Sequence, residues 1–536
     1  MKRFSRAFVL STVFVVAACG LVYELALVAL GSYLIGDTVG QASVVLAVMV
    51  FAMGVGAFAV KPLQRRAAAT FAAVELLLAL CGGLSVLGLY AAFAWLDLYT
   101  PALIVVAFLL GLLIGAEIPL LMVLLQRIRR QEAGEAVSDL FAADYVGALL
   151  GGLAFPFLLL PFFGLIQGAL VVGALNAVCG LALVLGLFRA ELSGRSRAAL
   201  AAGCVVVFAI LSFGYAVSDD FETTARQQLY KDPIVHAERT PYQDIVVTRS
   251  VALGGAADVR LYLNGDLQFA SVDEYRYHEA LVHPVLAGPH GRVLIIGGGD
   301  GLALREVLRY PDVRSATLVE LDPAMIRLAR TNPLLRELNH DSFADPRLTV
   351  VNADAFTWLR DGARTPPRPH PTPSATGPSS TAPAGAGTAG SYDAVIVDLP
   401  DPDSPATAKL YSVEFYGLVA HALAPGGRMV VQAGSPYFAP RAFWTIDASV
   451  REAGLATTPY HADVPSFGDW GYLLAAPGEA PTPALSPDAP PRRYLDGATL
   501  AAATTFPADR RRLDMPPSTL THPTIVDIVN GEWKNY

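Results

Sequence analysis

A chain of 536 residues, 53% of them hydrophobic and only 16% charged, is too long for one compact domain and too apolar for an ordinary soluble protein. Its net charge of −8, with no basic stripe or aromatic-basic array in the polar half, excludes nucleic acid as a partner. The four cysteines (Cys19, Cys81, Cys179 and Cys204) all fall in apolar stretches, which excludes a disulfide framework and a cysteine-based metal site and leaves small buried hydrophobes.

The apolar excess lies before residue 217. Segments near 8–35, 42–60, 70–95, 101–125, 139–163, 165–188 and 198–217 each approach or exceed the roughly 20 residues that cross a bilayer as helix, which predicts seven spans. The first apolar run is too long for a cleavable signal and flows through Glu24 into further apolar sequence, so it predicts a retained helix. Lys2, Arg3 and Arg6, then Lys61, Arg65 and Arg66, then Arg127, Arg129 and Arg130, then Arg189, Arg195 and Arg197 occupy every second connection. The connections at 36–41, 96–100 and 161–168 have no Lys or Arg. The positive-inside rule then puts the N-terminus in the cytoplasm and, with an odd number of spans, everything after 217 on the other side; a segment such as 147–164 that failed to cross would reverse this. Glu24, Glu117 and Asp144 lie in or at the edges of spans. Intramembrane acids are costly unless paired or hydrated, so they are candidates for guiding a polycation, the alternative being that they satisfy local backbone or pair with arginine. The spans show no clear inverted repeat of the transporter kind.

From about 240 the texture changes to short β-type runs. QDIVVTRS, VRLYLNG and DLQFAS predict a small antiparallel sheet with Asn264-Gly265 as a hairpin turn, and DEYRYHEALVHPVL predicts a helix. RVLIIG, which lacks polar alternation, predicts a strand buried on both faces, followed by a glycine turn and a helix through LALREVLRY. The unit repeats as SATLVELD into PAMIRLARTN, RLTVVNAD into AFTWLRD, YDAVIVDL into VEFYGLVAHAL, and RMVVQAG after Pro425-Gly426-Gly427. That alternation predicts a doubly wound parallel sheet with ligands at the carboxyl ends of its strands. Residues 364–391, rich in Pro, Ser, Thr, Ala and Gly, cannot bury a core and predict a disordered insertion. The expected organisation is a seven-helix membrane domain at 1–217, a small β subdomain with a linking helix at 218–290, the doubly wound domain at 291–477, and a Pro-rich linker and tail at 478–536.

In VLIIGGGDGLALREVL (293–308), strand, glycine turn and helix bring backbone N–H groups and a positive helix end close to a nucleotide. Gly297 and Gly299 let the backbone approach, while Asp300 places a negative charge at the centre of the turn. The next strand ends in Glu320, the usual ligand of two ribose hydroxyls, the one after it in Asp354, and the next in Asp398 and Asp401. Acids at successive strand ends converge on one crevice.

The polar half resembles the spermidine synthase family of aminopropyltransferases over roughly 230–477, through YQDIVV (242–247), LNGDLQFASVDEYRYHEALVHPVL (263–286), GGGDGLALREVL (297–308), VELD (319–322), NADAF (352–356), DLPDP (398–402), LYSVEFY (410–416), LAPGG (423–427) and SPYF (435–438). With its N-terminal helices it is similar to that family's membrane-embedded bacterial branch. The resemblance implies a multi-pass helical membrane domain, then a methyltransferase-type Rossmann-like α/β domain with a small N-terminal antiparallel β subdomain. It implies polyamine biosynthesis: transfer of the aminopropyl group of decarboxylated S-adenosylmethionine, a co-substrate and not a tightly bound cofactor, to an amine, with putrescine expected and spermidine and 5′-methylthioadenosine as products. It implies no metal. Gln243 then matches the nucleoside contact, Glu320 the ribose ligand, Asp354 and Ala355 the adenine contact, and Tyr277 and His278 the lining of the amine channel. Asp398 matches the general base and Asp401 a binding group for the cationic amine. Asp300 would attract the donor's terminal ammonium and repel a carboxylate.

The chain departs from the family pattern where Asp398-Leu399-Pro400-Asp401 replaces Asp-Ser-Ser-Asp, where Phe467 stands near an expected tyrosine, and where Asn264 replaces an aspartate. These changes leave the nucleoside site intact and the amine open. Two other functions stay open: an S-adenosylmethionine-dependent methyltransferase, and a non-catalytic membrane sensor or transporter for polyamines or nucleosides. The expected location is the cell membrane, multi-pass, with a lipid bilayer and a small amine as partners and a homo-oligomer as a further option. Because decarboxylated S-adenosylmethionine is made in the cytoplasm, the span count and the chemistry point to opposite sides.

Overall fold

The computed structural model describes residues 2–35, 38–96, 98–128, 133–250, 257–363 and 390–533. Two compact units follow one another, Met1–Lys231 and Asp232–Tyr536. The expected insertion at 364–391 lies outside the described residues as far as 389, and so do Arg129 and Arg130.

The first unit is built of helices α1 (Lys2–Ile35), α2 (Thr38–Ala59), α3 (Ala67–Ala91), α4 (Tyr99–Ile128), α5 (Ala133–Ala154), α6 (Leu160–Leu187) and α7 (Gly194–Leu229). Their surfaces are apolar all round, so packing is set by small residues and not by a hydrophobic stripe. A Cβ on Gly115 of α4 would stand 2.1 Å from the Met53 carbonyl oxygen of α2, so the two backbones touch where only hydrogen fits. Six stretches, not the seven expected, are separately long and apolar enough to cross a membrane. The fifth, Ser138–Leu187, has 50 residues, about 75 Å at 1.5 Å per residue, more than twice a bilayer core of roughly 30 Å. It is two helices: the chain breaks at Gly164 (φ 68°, ψ −170°). Gly147 and Gly151 of α5 lie against Phe14 and Ala18 of α1, whereas Gly186 of α6 lies against Phe8, and Cys179 lies within electrostatic reach of Cys19. Helix α5 therefore runs with α1 and α6 runs against it. Helix α7 does not stop at 217; an i,i+4 pair between Glu222 and Arg226 (3.3 Å) extends it into polar sequence, and the unit ends at 231.

The second unit opens with a four-stranded antiparallel sheet, β1 (Ile234–Arg239), β2 (Asp244–Arg249), β3 (Val259–Leu263) and β4 (Asp266–Ala270). The sequence reading lacked β1. Between β3 and β4, Asn264 (φ 53°) and Gly265 (φ 97°) both take the left-handed conformation that a type I′ hairpin demands. Helix α8 (Glu274–Val282) follows.

Next come β5 (Arg292–Gly297), α9 (Leu302–Leu308), β6 (Ser315–Glu320), α10 (Pro323–Thr331), α11 (Pro333–Asn339), β7 (Leu348–Asn352), α12 (Ala355–Ala363), β8 (Tyr392–Asp398), α13 (Pro405–Ala408), α14 (Val413–Ala422), β9 (Leu423–Gln432), α15 (Pro440–Glu452), β10 (Leu455–Val464) and β11 (Gly468–Pro477). The sheet order is β10-β11-β9-β8-β5-β6-β7, parallel from β9 to β7 and antiparallel at β11 and β10. Val293, Leu294, Ile295 and Ile296 are fully buried, as the unbroken apolar run requires. The strand order reverses between β5 and β8, so the ligand crevice of a doubly wound sheet opens where Gly297 stands opposite Asp398.

Residues 478–533, within the stretch 478–536 expected as linker and tail, pack as part of this unit. The Glu279 carboxylate accepts backbone N–H bonds from Arg493, Tyr494 and Leu495 (2.6–2.9 Å), and Ile525 and Val529 of α17 (Thr524–Trp533) are buried in the core beside α15. A short α16 (Gly497–Ala503) lies between, with Leu500 buried.

Candidate active site

The glycine turn is tied to the neighbouring strand: Gly298 N–H donates to the Asp398 carbonyl (3.0 Å) and Gly301 N–H to the Gly298 carbonyl (3.0 Å). A Cβ on Gly297, at φ 81°, would fall 2.0 Å from that Asp398 oxygen, and one on Gly299 would fall 2.7 Å from the Glu320 carboxylate. Glycine is required here for contact between strand ends as well as for ligand approach.

Asp300 accepts from Leu302 N–H (2.8 Å), and its carbonyl accepts from Asn339 Nδ2 (3.0 Å), so the carboxylate is fixed at the start of α9. Burial raises its pKa, against the opposing charge of His278. Asp398 accepts from the buried Tyr277 hydroxyl at 2.7 Å. Burial pushes Asp398 up to about 6; His278 and the Tyr277 bond pull it down, while the Asp300 charge pushes it up. His278 is buried, and its Nδ1 lies 2.8 Å from the Glu274 carbonyl and 2.9 Å from the Glu274 carboxylate. A carbonyl can only accept, so Nδ1 carries the proton and Nε2 is left for the crevice. Burial opposes its charge, but Glu274, Asp300 and Asp398 together hold its pKa above the usual histidine value.

Glu320 accepts from Asp322 N–H (2.9 Å) and is raised by burial to about 7. Gln243 Nε2 donates to Asp322 (3.1 Å), as does the Thr240 hydroxyl (2.7 Å), which fastens the start of β2 beside the end of β6. Asp354 accepts from Thr357 N–H (2.9 Å) and from Lys409 Nζ (2.6 Å); burial would raise it, but these partners lower it. Ala355 is buried next to it at the start of α12. Asp401 is raised to about 7, first by burial and then by Asp266 and Asp403, against a long bond from Gln432 Nε2 (3.4 Å). Asp266, exposed at the start of β4, lies within electrostatic reach of Asp403. Phe467 packs on Tyr277, ring centroids 6.0 Å apart.

Thus Asp300, Glu320 and Asp398 meet at one crevice with Tyr277 and His278, while Asp401 stands beyond the 399–400 turn. Sequence reasoning missed the groups that hold them. Arg305 makes a two-bond pair with Glu274 (3.0 Å each) behind His278. Where the family pattern has two serines, the Tyr411 hydroxyl donates to the Leu399 and Pro400 carbonyls (3.1 and 2.9 Å) and receives Gln432 Nε2 (2.7 Å). Among the described residues no His, Cys, Asp and Glu cluster is arranged to hold a metal ion.

A doubly wound sheet with a glycine turn and four acids at its strand ends defines a Rossmann-like enzyme class, and the family described as the spermine/spermidine synthase domain matches residues 274–484. "Polyamine aminopropyltransferase 1" of Streptomyces coelicolor is 60% identical over 535 residues, covering 100% of this chain and 96% of the relative. "Polyamine aminopropyltransferase" of Mycobacterium tuberculosis is 48% identical, covering 98% of this chain and 97% of that one. A crystal structure of spermidine synthase in complex with the transition state analogue AdoDATO aligns with 23% identity and a TM-score of 0.43 over 56% of this chain and 89% of that chain. The chain belongs to the polyamine aminopropyltransferase family.

Proposed function

We propose that this protein transfers the aminopropyl group of decarboxylated S-adenosylmethionine to a primary amine, with putrescine the expected acceptor, and releases 5′-methylthioadenosine. The observation that carries the proposal is the Asp398 carboxylate, aligned by Tyr277 at 2.7 Å and standing directly on the glycine turn. Glu320 takes the ribose hydroxyls, Asp354 and Ala355 border the adenine, and Gln243 closes over the nucleoside. Asp300 takes the terminal ammonium of the donor, which ordinary S-adenosylmethionine presents beside a carboxylate that Asp300 repels.

An alkylammonium is not a nucleophile. Asp398 holds the amine and accepts one proton from it as the nitrogen lone pair attacks the carbon beside the sulfonium; the carbon–sulfur bond breaks and its electron pair stays on sulfur. The positive sulfur makes that carbon electrophilic. His278, held by Glu274, borders the amine, and Asp401 with its neighbour Asp266 attracts the second ammonium. Carboxylates raised to about 6 and 7 in the free crevice are those that gain most from an arriving dication, whose charge restores their ionised form.

The helical unit is proposed to sit in a lipid bilayer. Phe58, Phe157 and Phe162 are each more than 70% exposed on its surface, a pattern that water disfavours and lipid accommodates. Product analysis of the detergent-purified chain tests the chemistry. With putrescine and the decarboxylated donor, mass spectrometry is expected to find spermidine; a methylated amine formed from ordinary S-adenosylmethionine would instead identify a methyltransferase.

A further inference from the structure

The interior of the helical unit holds a polar cluster that the transfer chemistry does not use. Glu75 of α3 is fully buried, and Glu117 of α4 is 5% exposed. One Glu75 oxygen accepts from Asn176 Nδ2 of α6 (2.8 Å), while Glu75 Oε1, Glu117 Oε1, Asn176 Oδ1 and the Tyr23 hydroxyl of α1 have no hydrogen-bond partner within the protein. All four side chains are at least nine-tenths buried. They belong together: Tyr23 lies within electrostatic reach of both carboxylates, and Glu117 within reach of Glu75 and of the half-buried Asp144 on α5. Among the described residues no Lys, Arg or His pairs with Glu75 or Glu117. Glu75, Glu117, Asp144 and Asn176 each stand about 12 to 17 Å along their helices from the ends joined by the Arg- and Lys-bearing connections, so they share one level.

Buried acceptors without donors cost free energy unless something supplies donors, and two unpaired carboxylates cost more. Unpartnered acceptor oxygens on Glu75, Glu117 and Asn176, of net negative charge, call for a cationic donor, and a primary ammonium carries three N–H groups. No three-residue cluster among the described residues suits a metal ion. We propose that Glu75, Glu117, Asn176 and Tyr23 form a second amine site, inside the helical unit, that binds the ammonium end of an alkylamine. Asp144, next to Glu117 and partly open, marks its approach. The sequence reading had singled out Glu117 and Asp144 but not Glu75, which an apolar run conceals.

The test is equilibrium binding of labelled putrescine to the full chain in nanodiscs of zwitterionic lipid, beside aminopropyl-transfer assays. Two putrescines per chain are expected. Glu75→Gln and, separately, Glu117→Gln are expected to weaken one of them at least about tenfold while transfer activity stays within about twofold of the parent; Glu117→Gln serves where Glu75→Gln does not yield a monodisperse protein. A single putrescine that both variants retain would overturn the proposal. So would a carboxyl infrared band that titrates with pH and vanishes in Glu75→Gln while no second amine binds, which would make the cluster a proton site. A single putrescine lost in Glu75→Gln would uphold this site and count against the crevice reading instead.

Discussion

Asp398 is set between two neighbours that act on it in opposite senses. Burial raises its pKa most, His278 opposes that, and on top of these the Asp300 charge raises it and the Tyr277 bond lowers it, to about 6. Transfer requires the ionised form, so activity at subsaturating amine is expected to fall as pH drops below about 6. Tyr277→Phe removes a lowering contact and is expected to move that acid limb to higher pH; Asp300→Asn removes a raising charge and is expected to move it lower. Limbs that stay in place in both variants would mean that another group limits the rate. Asp300→Asn is also expected to weaken the decarboxylated donor by about 10- to 100-fold, the worth of one charged hydrogen bond, and to narrow its preference over S-adenosylmethionine. Glu320 and Asp398 were legible because a strand end places its last residue in the crevice whatever the rest of the fold does, and Asp300 because it sits in the glycine turn that follows β5. Arg305, Tyr411 and Gln432 were not, because each acts through a partner brought close only by tertiary folding, as Arg305 does on Glu274, 31 positions away.

At the scale of elements, α8 and α9 are joined by buried charge. Glu306 pairs with Arg305 (2.9 Å), Arg309 and His283 (3.3 Å), and Arg305 reaches on to Glu274, so one network supports the helix that carries Tyr277 and His278. Burial would raise Glu306, but His283, Arg305 and Arg309 hold it at about 2. A carboxylate lowered on folding contributes stability that is complete above its unfolded pKa of about 4.3 and is lost as pH falls toward 2. Glu306→Gln is expected to cost about 1 to 3 kcal/mol at neutral pH, because it weakens charge-assisted bonds to Arg305 and Arg309 while Arg305 keeps Glu274, and to flatten the acid limb of the stability curve; thermal unfolding from pH 3 to pH 7 measures both. The βα repeats of the large sheet were legible from apolar runs and glycine turns. β1 was not: its residues alternate between half-buried and exposed, and IVHAER carries too little apolar period to stand out beside its neighbours.

For the whole molecule, the apolar first unit was legible in composition, but its segmentation depended on one residue. Gly164 breaks the helix inside a stretch that hydropathy reads as continuous, so the fifth of the six apolar stretches holds two helices, and seven crossings would follow if each helix spans. Reporters fused at the two chain termini are therefore expected to fall on opposite sides of the membrane; reporters on the same side would mean that a helix fails to cross. The full chain is expected to stay in the membrane pellet through an alkaline carbonate wash, and its release would contradict insertion. The last sixty or so residues misled the sequence reading because proline-rich chain resembles a linker, and only backbone bonds to Glu279 and the buried face of α17 show it to be part of the fold. The central claim is that the crevice performs amine-dependent aminopropyl transfer with Asp398 as base. It is tested most directly by release of 5′-methylthioadenosine from the decarboxylated donor by the purified full chain, with and without putrescine, beside Asp398→Asn. Release that requires the amine and falls by about 100-fold or more in the variant is the predicted result. Release that persists in Asp398→Asn, or no release with any amine despite measurable donor binding, would contradict it.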